Sequence, residues 1–218
     1  MNRQTIGARI RQIGIVPALR LASAEDALFA AKAISECGIP IAEVTMTIPG
    51  AVEVISELTR SRPEMIVGAG TIVDLETAGR CLDAGAQFLT SPGLDIEIVE
   101  FAAKHDVVAM PGALTPSEVM AAWKAGADFV KVFPCSVLGG ASYIRALKSP
   151  FPNISLIASG GVTQGNVADF ILAGAAGVGI GRDLINPEAV QRRQVDWIRE
   201  LAGRFLEIIK AARSLRKA

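Results

Sequence analysis

The chain has 218 residues, half of them apolar, which is ample for a continuous core in one large domain. Lys plus Arg and Asp plus Glu are 22 each, so no global charge recruits nucleic acid or an acidic membrane surface, and neither is expected as a partner. Three scattered cysteines, Cys37, Cys81 and Cys135, fit reduced thiols in a cytoplasm, and a single histidine, His105, argues against a metal centre.

The N-terminus carries Arg3, Arg9 and Arg11 without acidic residues and reads as a short basic amphipathic helix, not a signal or transit segment. Strand-like runs then recur at a steady spacing: Ile15-Arg20, Ile41-Met46, Ile66-Ile72, Phe88-Gly93, Val107-Ala113, Phe129-Pro134, Ser155-Gly161 and Gly177-Arg182. Helical patterns fill the intervals. Ser23-Ala-Glu-Asp26 and Thr115-Pro-Ser-Glu118 have capping-box form, and Pro116 stands where a missing donor costs nothing. Gly38, Gly85, Gly126 and Gly174 fall where helices end in a left-handed residue before the next strand. The tail from Pro187 to Ala218 predicts one or two helices with Trp197, Ile198, Leu201, Phe205, Ile208 and Ile209 as the apolar stripe.

Eight strand-helix units in a chain of this length predict a single (β/α)₈ TIM barrel spanning residues 1–218, with an added N-terminal helix. An open doubly wound sheet is the alternative, but the first strand-helix turn lacks a GxGxxG. No apolar run is long enough to span a bilayer.

The chemistry-bearing position is Lys131. Strand alternation places Phe129, Lys131 and Phe133 on one face and Val130 and Val132 on the other, which sets an ammonium among aromatic rings. Burial disfavours a charged amine, and the neutral amine is the form that attacks a carbonyl to make a Schiff base. The plainer reading is a lysine that snorkels or pairs structurally. On the second strand Glu43, Thr45 and Thr47 share a face, and an inward carboxylate needs a partner. A Glu43 and Lys131 pair would unite an amine and a general base, though the same pair also fits a structural ion pair. Ser159-Gly-Gly161 and Gly177-Val-Gly-Ile-Gly181 put glycines after the last two strands, where barrels bind phosphate through backbone N–H groups. Arg182 follows directly and is placed to add a charge-assisted contact, although the same glycines also fit ordinary strand-helix turns.

Together, Glu43-Val-Thr45, Gly68-Ala-Gly-Thr71, Ser91-Pro92, Met110-Pro-Gly112, Phe129-Val-Lys-Val-Phe-Pro134 and Ser159-Gly-Gly161 resemble one family over nearly the whole chain. It is the 2-keto-3-deoxy-6-phosphogluconate / 4-hydroxy-2-oxoglutarate aldolase family, class I aldolases on a (β/α)₈ barrel. The resemblance implies Lys131 as the Schiff-base lysine and Glu43 as the proton-transfer carboxylate. It further implies that Thr71 and the Pro92 backbone line the keto-acid pocket, that Phe133 packs beside the lysine, and that Gly160 and Gly161 belong to the phosphate end. Ser159 replaces a frequent threonine, and Arg182 stands where relatives carry a small hydroxyl. Many relatives carry a carboxylate-binding arginine where this chain has Thr47, and Arg20 is the replacement cation. The expected substrate is a small, phosphorylated 2-keto-4-hydroxy acid, with no cofactor, no metal, a cytoplasmic location and a homotrimeric assembly. 2-Keto-3-deoxy-6-phosphogalactonate is the alternative substrate, and a non-covalent phosphosugar-binding barrel is the alternative function.

Overall fold

The computed structural model describes residues 1–217; Ala218, the last residue of the predicted tail, lies outside the described residues. In chain order the elements are α1 (Arg3–Ile13), β1 (Ile15–Leu19), α2 (Ala24–Ser35), β2 (Ile41–Thr45), α3 (Ala51–Ser61), β3 (Ile66–Gly70), α4 (Leu75–Asp83), β4 (Phe88–Thr90) and α5 (Ile96–Lys104). They continue with β5 (Val108–Met110), β6 (Gly112–Ala113), α6 (Pro116–Lys124), β7 (Val130–Val132), α7 (Gly140–Lys148), β8 (Leu156–Ser159), α8 (Val167–Leu172), β9 (Gly177–Ile180), α9 (Pro187–Gln191) and α10 (Val195–Lys217).

All nine strands are parallel neighbours in one sheet of order β5-β4-β3-β2-β1-β9-β8-β7-β6. Its two ends, β5 and β6, are halves of the run predicted as the fifth strand, so the sheet closes into a (β/α)₈ barrel. Pro111 causes the division, because proline has no N–H for a ladder. Its carbonyl still accepts from Lys131 N at 2.9 Å, which keeps the two sides of the seam joined.

The predicted helix starts are found, with one difference. Thr115 and Glu118 form the reciprocal capping box of α6 with Pro116 at its start, whereas Ser23 caps α2 through the Asp26 N–H alone, the Asp26 carboxylate accepting from Arg193 instead. The four predicted glycine stops all have positive φ. In α10 the stripe of Ile198, Leu201, Phe205 and Ile209 is buried, while Trp197 is largely exposed.

Two apolar layers result. The larger lies between the outward strand faces and the helices. The smaller fills the barrel's N-terminal end, where Ile6 and Ile10 of α1 meet Val16, Ile41, Ile66, Phe88, Met110, Phe129 and Ile157. Arg3 fastens this helix through two 3.0 Å hydrogen bonds to the Asp128 carboxylate, and the Arg11 guanidinium lies 4.5 Å from the Phe129 ring centroid. The basic N-terminal helix is therefore a plug, and the strands' C-terminal ends are left for the site.

Candidate active site

Above that plug the inward faces turn polar. On β7, Phe129 belongs to the plugged layer and Lys131, two residues on, reaches the next level; on β2, Ile41 and Glu43 repeat the pattern. Lys131 Nζ donates to Glu43 Oε1 at 3.3 Å, with side chains only 12 % and 3 % exposed. The Phe133 ring centroid is 5.8 Å from the same ammonium. A charge pair this sheltered has most of its solvation stripped away, so each partner depends on the other.

The carboxylate fits there because position 70 has no side chain. A Cβ on Gly70 would lie 2.3 Å from Glu43 Oε1. The small residues ending β3 serve the protein's own side chains: Gly70 makes room for Glu43, and Gly68 makes room for the Phe88 ring. Thr71, the next residue, has φ +62°, a left-handed conformation that costs a β-branched residue about 1–3 kcal/mol. It is pinned on both sides, by Met46 N to Gly70 O at 2.8 Å and by Ile72 N to Thr90 O at 3.0 Å.

Lys131 and Glu43 open into a cavity of about 560 Å³ whose walls include Arg20, Thr71, Pro92, Phe133, Ser159, Gly160, Gly161, Gly181 and Arg182. Thr47, expected at the substrate, is off this wall: it is exposed, and its hydroxyl pairs with Thr45 Oγ1 at 2.7 Å. The strand ends at Thr45, so the alternation that would have aimed Thr47 inward no longer applies. Pro92 is held by Ser91, whose Oγ donates to Gly93 O at 2.6 Å and accepts from Gly112 N at 3.4 Å.

At the other side of the cavity, Gly160 and Gly161 have φ +88° and +81° in succession. Their carbonyls are engaged away from it: Ser136 N donates to Gly160 O, and Ser136 Oγ and Asn166 Nδ2 donate to Gly161 O. Among the described residues the Gly160 and Gly161 N–H groups have no protein acceptor. Two free N–H groups in a turn of consecutive left-handed residues form a nest suited to an anion.

Arg20 and Arg182 are both exposed at the rim, at the ends of the paired strands β1 and β9. Among the described residues neither side chain has a hydrogen bond or ion pair, so both are available to an anionic ligand. Sequence reasoning missed Ala18, Val162, Asp183, Ile185 and Pro187 on the wall. Ala18 could have been found by counting back two residues from Arg20; nothing in the sequence marks Asp183.

Among the described residues no three His, Cys, Asp or Glu side chains gather as metal ligands, and no helix is long and apolar enough to cross a membrane. Burial pushes the thiols of Cys81 and Cys135 up to about 11, which makes them structural groups, not nucleophiles. A larger groove of about 1080 Å³ between α1 and α10 holds none of the predicted site residues. Thr90 Oγ1 is the one buried side-chain polar atom without a partner among the described residues.

Comparison with known proteins gives a consistent picture. Residues 6–201 match the family model described as KDPG and KHG aldolase. The chain is 34% identical over 203 residues to the 2-dehydro-3-deoxy-phosphogluconate aldolase of Pseudomonas aeruginosa, covering 90% of this chain and 91% of the relative. Among solved structures it is similar to the KDPG aldolase of Legionella pneumophila with pyruvate captured as a covalent carbinolamine, at TM-score 0.84 and 29% identity over 91% of this chain and 96% of that one. It is also similar to a native KDPGal structure, at TM-score 0.81 and 28% identity over 90% and 96% of the two chains.

Proposed function

The chain belongs to the KDPG and KHG aldolase family, and from that premise we propose that it cleaves a 2-keto-4-hydroxy acid through a Schiff base on Lys131. The substrate is 2-keto-3-deoxy-6-phosphogluconate, giving pyruvate and glyceraldehyde 3-phosphate, or 4-hydroxy-2-oxoglutarate, giving pyruvate and glyoxylate. The observation that carries this reading is the sheltered 3.3 Å contact between Lys131 Nζ and Glu43 Oε1 at the base of an open cavity.

Lys131 attacks the C2 carbonyl, and Glu43 relays the protons that convert the carbinolamine to water and a protonated imine. The imine is the electron sink. Glu43 then takes the C4 hydroxyl proton, the C3–C4 pair moves into the imine, and the aldehyde leaves an enamine on Lys131. Protonation at C3 and hydrolysis release pyruvate and restore the amine. The Thr71 hydroxyl and the Pro92 backbone hold the keto acid, with Arg20 supplying the cation that Thr47 does not. Ser159, the Gly160 and Gly161 N–H groups, Gly181 and Arg182 receive the phosphate. Because the imine does the work of a Lewis acid, chelators should leave turnover unchanged.

A second reading, cleavage of the phosphogalactonate isomer, is supported by the similarity to the KDPGal structure. The same residues would perform the same steps, so relative rates on the two sugar acids separate the readings. A cytoplasmic homotrimer completes the proposal; Val73 and Val137, 64% and 78% exposed, are apolar surface that an assembly could bury.

The deciding experiment is borohydride reduction in the presence of pyruvate, followed by peptide mass spectrometry. Irreversible inactivation with the reduced adduct on Lys131 is expected, and Lys131→Met should fold and be inert. An adduct on another lysine, or turnover in that variant, would remove the assignment.

A further inference from the structure

The N-terminal face of the barrel carries a separate cavity of about 430 Å³, formed where α1 and α10 meet the turns that lead into β8 and β9. Its wall includes four cations, Arg11, Lys148, Arg213 and Arg216, and not one Asp or Glu. Such a concentration is unusual in a chain whose charges balance, because partly buried Lys and Arg side chains are normally paired with acids.

The hydrogen-bond acceptors they find here are uncharged. Lys148 Nζ donates to Pro152 O at 2.6 Å, Ile154 O at 2.8 Å and Phe151 O at 3.3 Å. Arg213 Nη2 donates to Arg11 O at 2.7 Å and Ala176 O at 2.9 Å. Arg216 Nη1 donates to Ile171 O and Ala175 O, both at 3.2 Å, and Arg11 Nε donates to Ser155 Oγ at 3.2 Å. The contacts to Arg11 O and Ile171 O cap the C-terminal ends of α1 and α8, each carrying about half a negative charge, while Lys148 binds turn carbonyls beyond α7. Two ends offset only about one of the four positive charges. The surplus is felt locally: burial first, and the Arg216 guanidinium second, hold both Lys148 and Arg213 below their ordinary pKa.

We propose that this cavity binds a small doubly charged oxyanion of the phosphate type, at the end of the barrel opposite Lys131. Its volume lies within the range of small-molecule sites. Arg216 has the donors to hold such a group, because among the described residues its Nε and Nη2 have no protein acceptor and its fork matches two phosphate oxygens. A dianion would cancel most of the surplus charge and join α10 to the turn before β9, so the expected consequence is stabilisation of the fold. The inference does not rest on the aldolase reading.

The test is thermal unfolding of the full chain in inorganic phosphate, with sodium chloride adjusted to constant ionic strength and pH, for the wild type and for Arg216→Gln. Arg216 is exposed near the chain end, so the variant should fold. In phosphate-free buffer its stability should stay close to that of the wild type, because removing one like charge offsets the weakening of two 3.2 Å hydrogen bonds. The phosphate concentration needed for a given rise in melting temperature should be roughly tenfold higher in the variant, the scale of one lost charge-assisted contact. Phosphate held at the catalytic end contributes equally to both proteins and cancels in the comparison. Identical phosphate dependence in the two proteins, or a gain that chloride reproduces, would overturn the proposal.

Discussion

The two ends of the barrel are made from the same strands and differ in what covers them. Ile41 and Phe129 lie against α1 in a dry layer, whereas Glu43 and Lys131, two residues further along the same faces, meet beneath an open cavity. The inward alternation is identical, so pattern alone does not make one end a core and the other a site. A helix that contributes Ile6 and Ile10 excludes water from the first. At the second, loops held by glycines leave room above an ion pair. One end stores stability and the other spends some of it, in a sheltered charge pair and in the left-handed Thr71.

Replacing a residue at each end should separate these roles. At the open end, Glu43→Gln should lower turnover by about two to four orders of magnitude, the scale of a general acid-base group, while the variant still folds and binds pyruvate, with a lower melting temperature because Lys131 loses its counter-charge. Steady-state kinetics alongside borohydride trapping checks this; near-native turnover would make Glu43 a structural partner of Lys131. At the plugged end, Ile10→Ala should cost about 2–5 kcal/mol of stability in urea unfolding and leave kcat and KM close to wild type below the transition. A matching fall in kcat in the folded variant would show that the two ends are coupled.

Smaller effects sharpen the picture of the rim. Arg20→Ala should raise KM for phosphorylated and unphosphorylated keto acids alike, and Arg182→Ser for the phosphorylated one alone, each by roughly tenfold. If Arg20→Ala harms only the phosphorylated substrate, both arginines serve the phosphate end, which their positions on the paired strands β1 and β9 make a direct alternative. The smallest effect concerns Thr90, whose buried hydroxyl has no partner. Thr90→Val should raise unfolding stability by about 1 kcal/mol, because an unsatisfied hydroxyl is removed at nearly constant shape. A loss of stability instead would show that the hydroxyl is bonded to an internal water.

Much of this molecule was legible before any coordinates. Strand and helix runs follow from side-chain periodicity and from capping residues such as Ser23 and Thr115, which act within one turn and leave a local signature. The inward aim of Lys131 follows from its place between Phe129 and Phe133 in a strand. Pro111 was visible as a residue, yet its effect was not, since dividing the fifth strand matters only once β4 and β7 lie on either side of it. Thr47 kept its place in the alternation on paper and lost it when the strand stopped at Thr45. Strand alternation offered Glu43 and Lys131 as a pair, but their contact across 88 residues, like the use of Gly70 to admit a carboxylate and the gathering of Arg11, Lys148, Arg213 and Arg216, waited on barrel closure. Local rules set what each segment becomes, but which side chains share a cavity depends on distances that close only when the first strand meets the last.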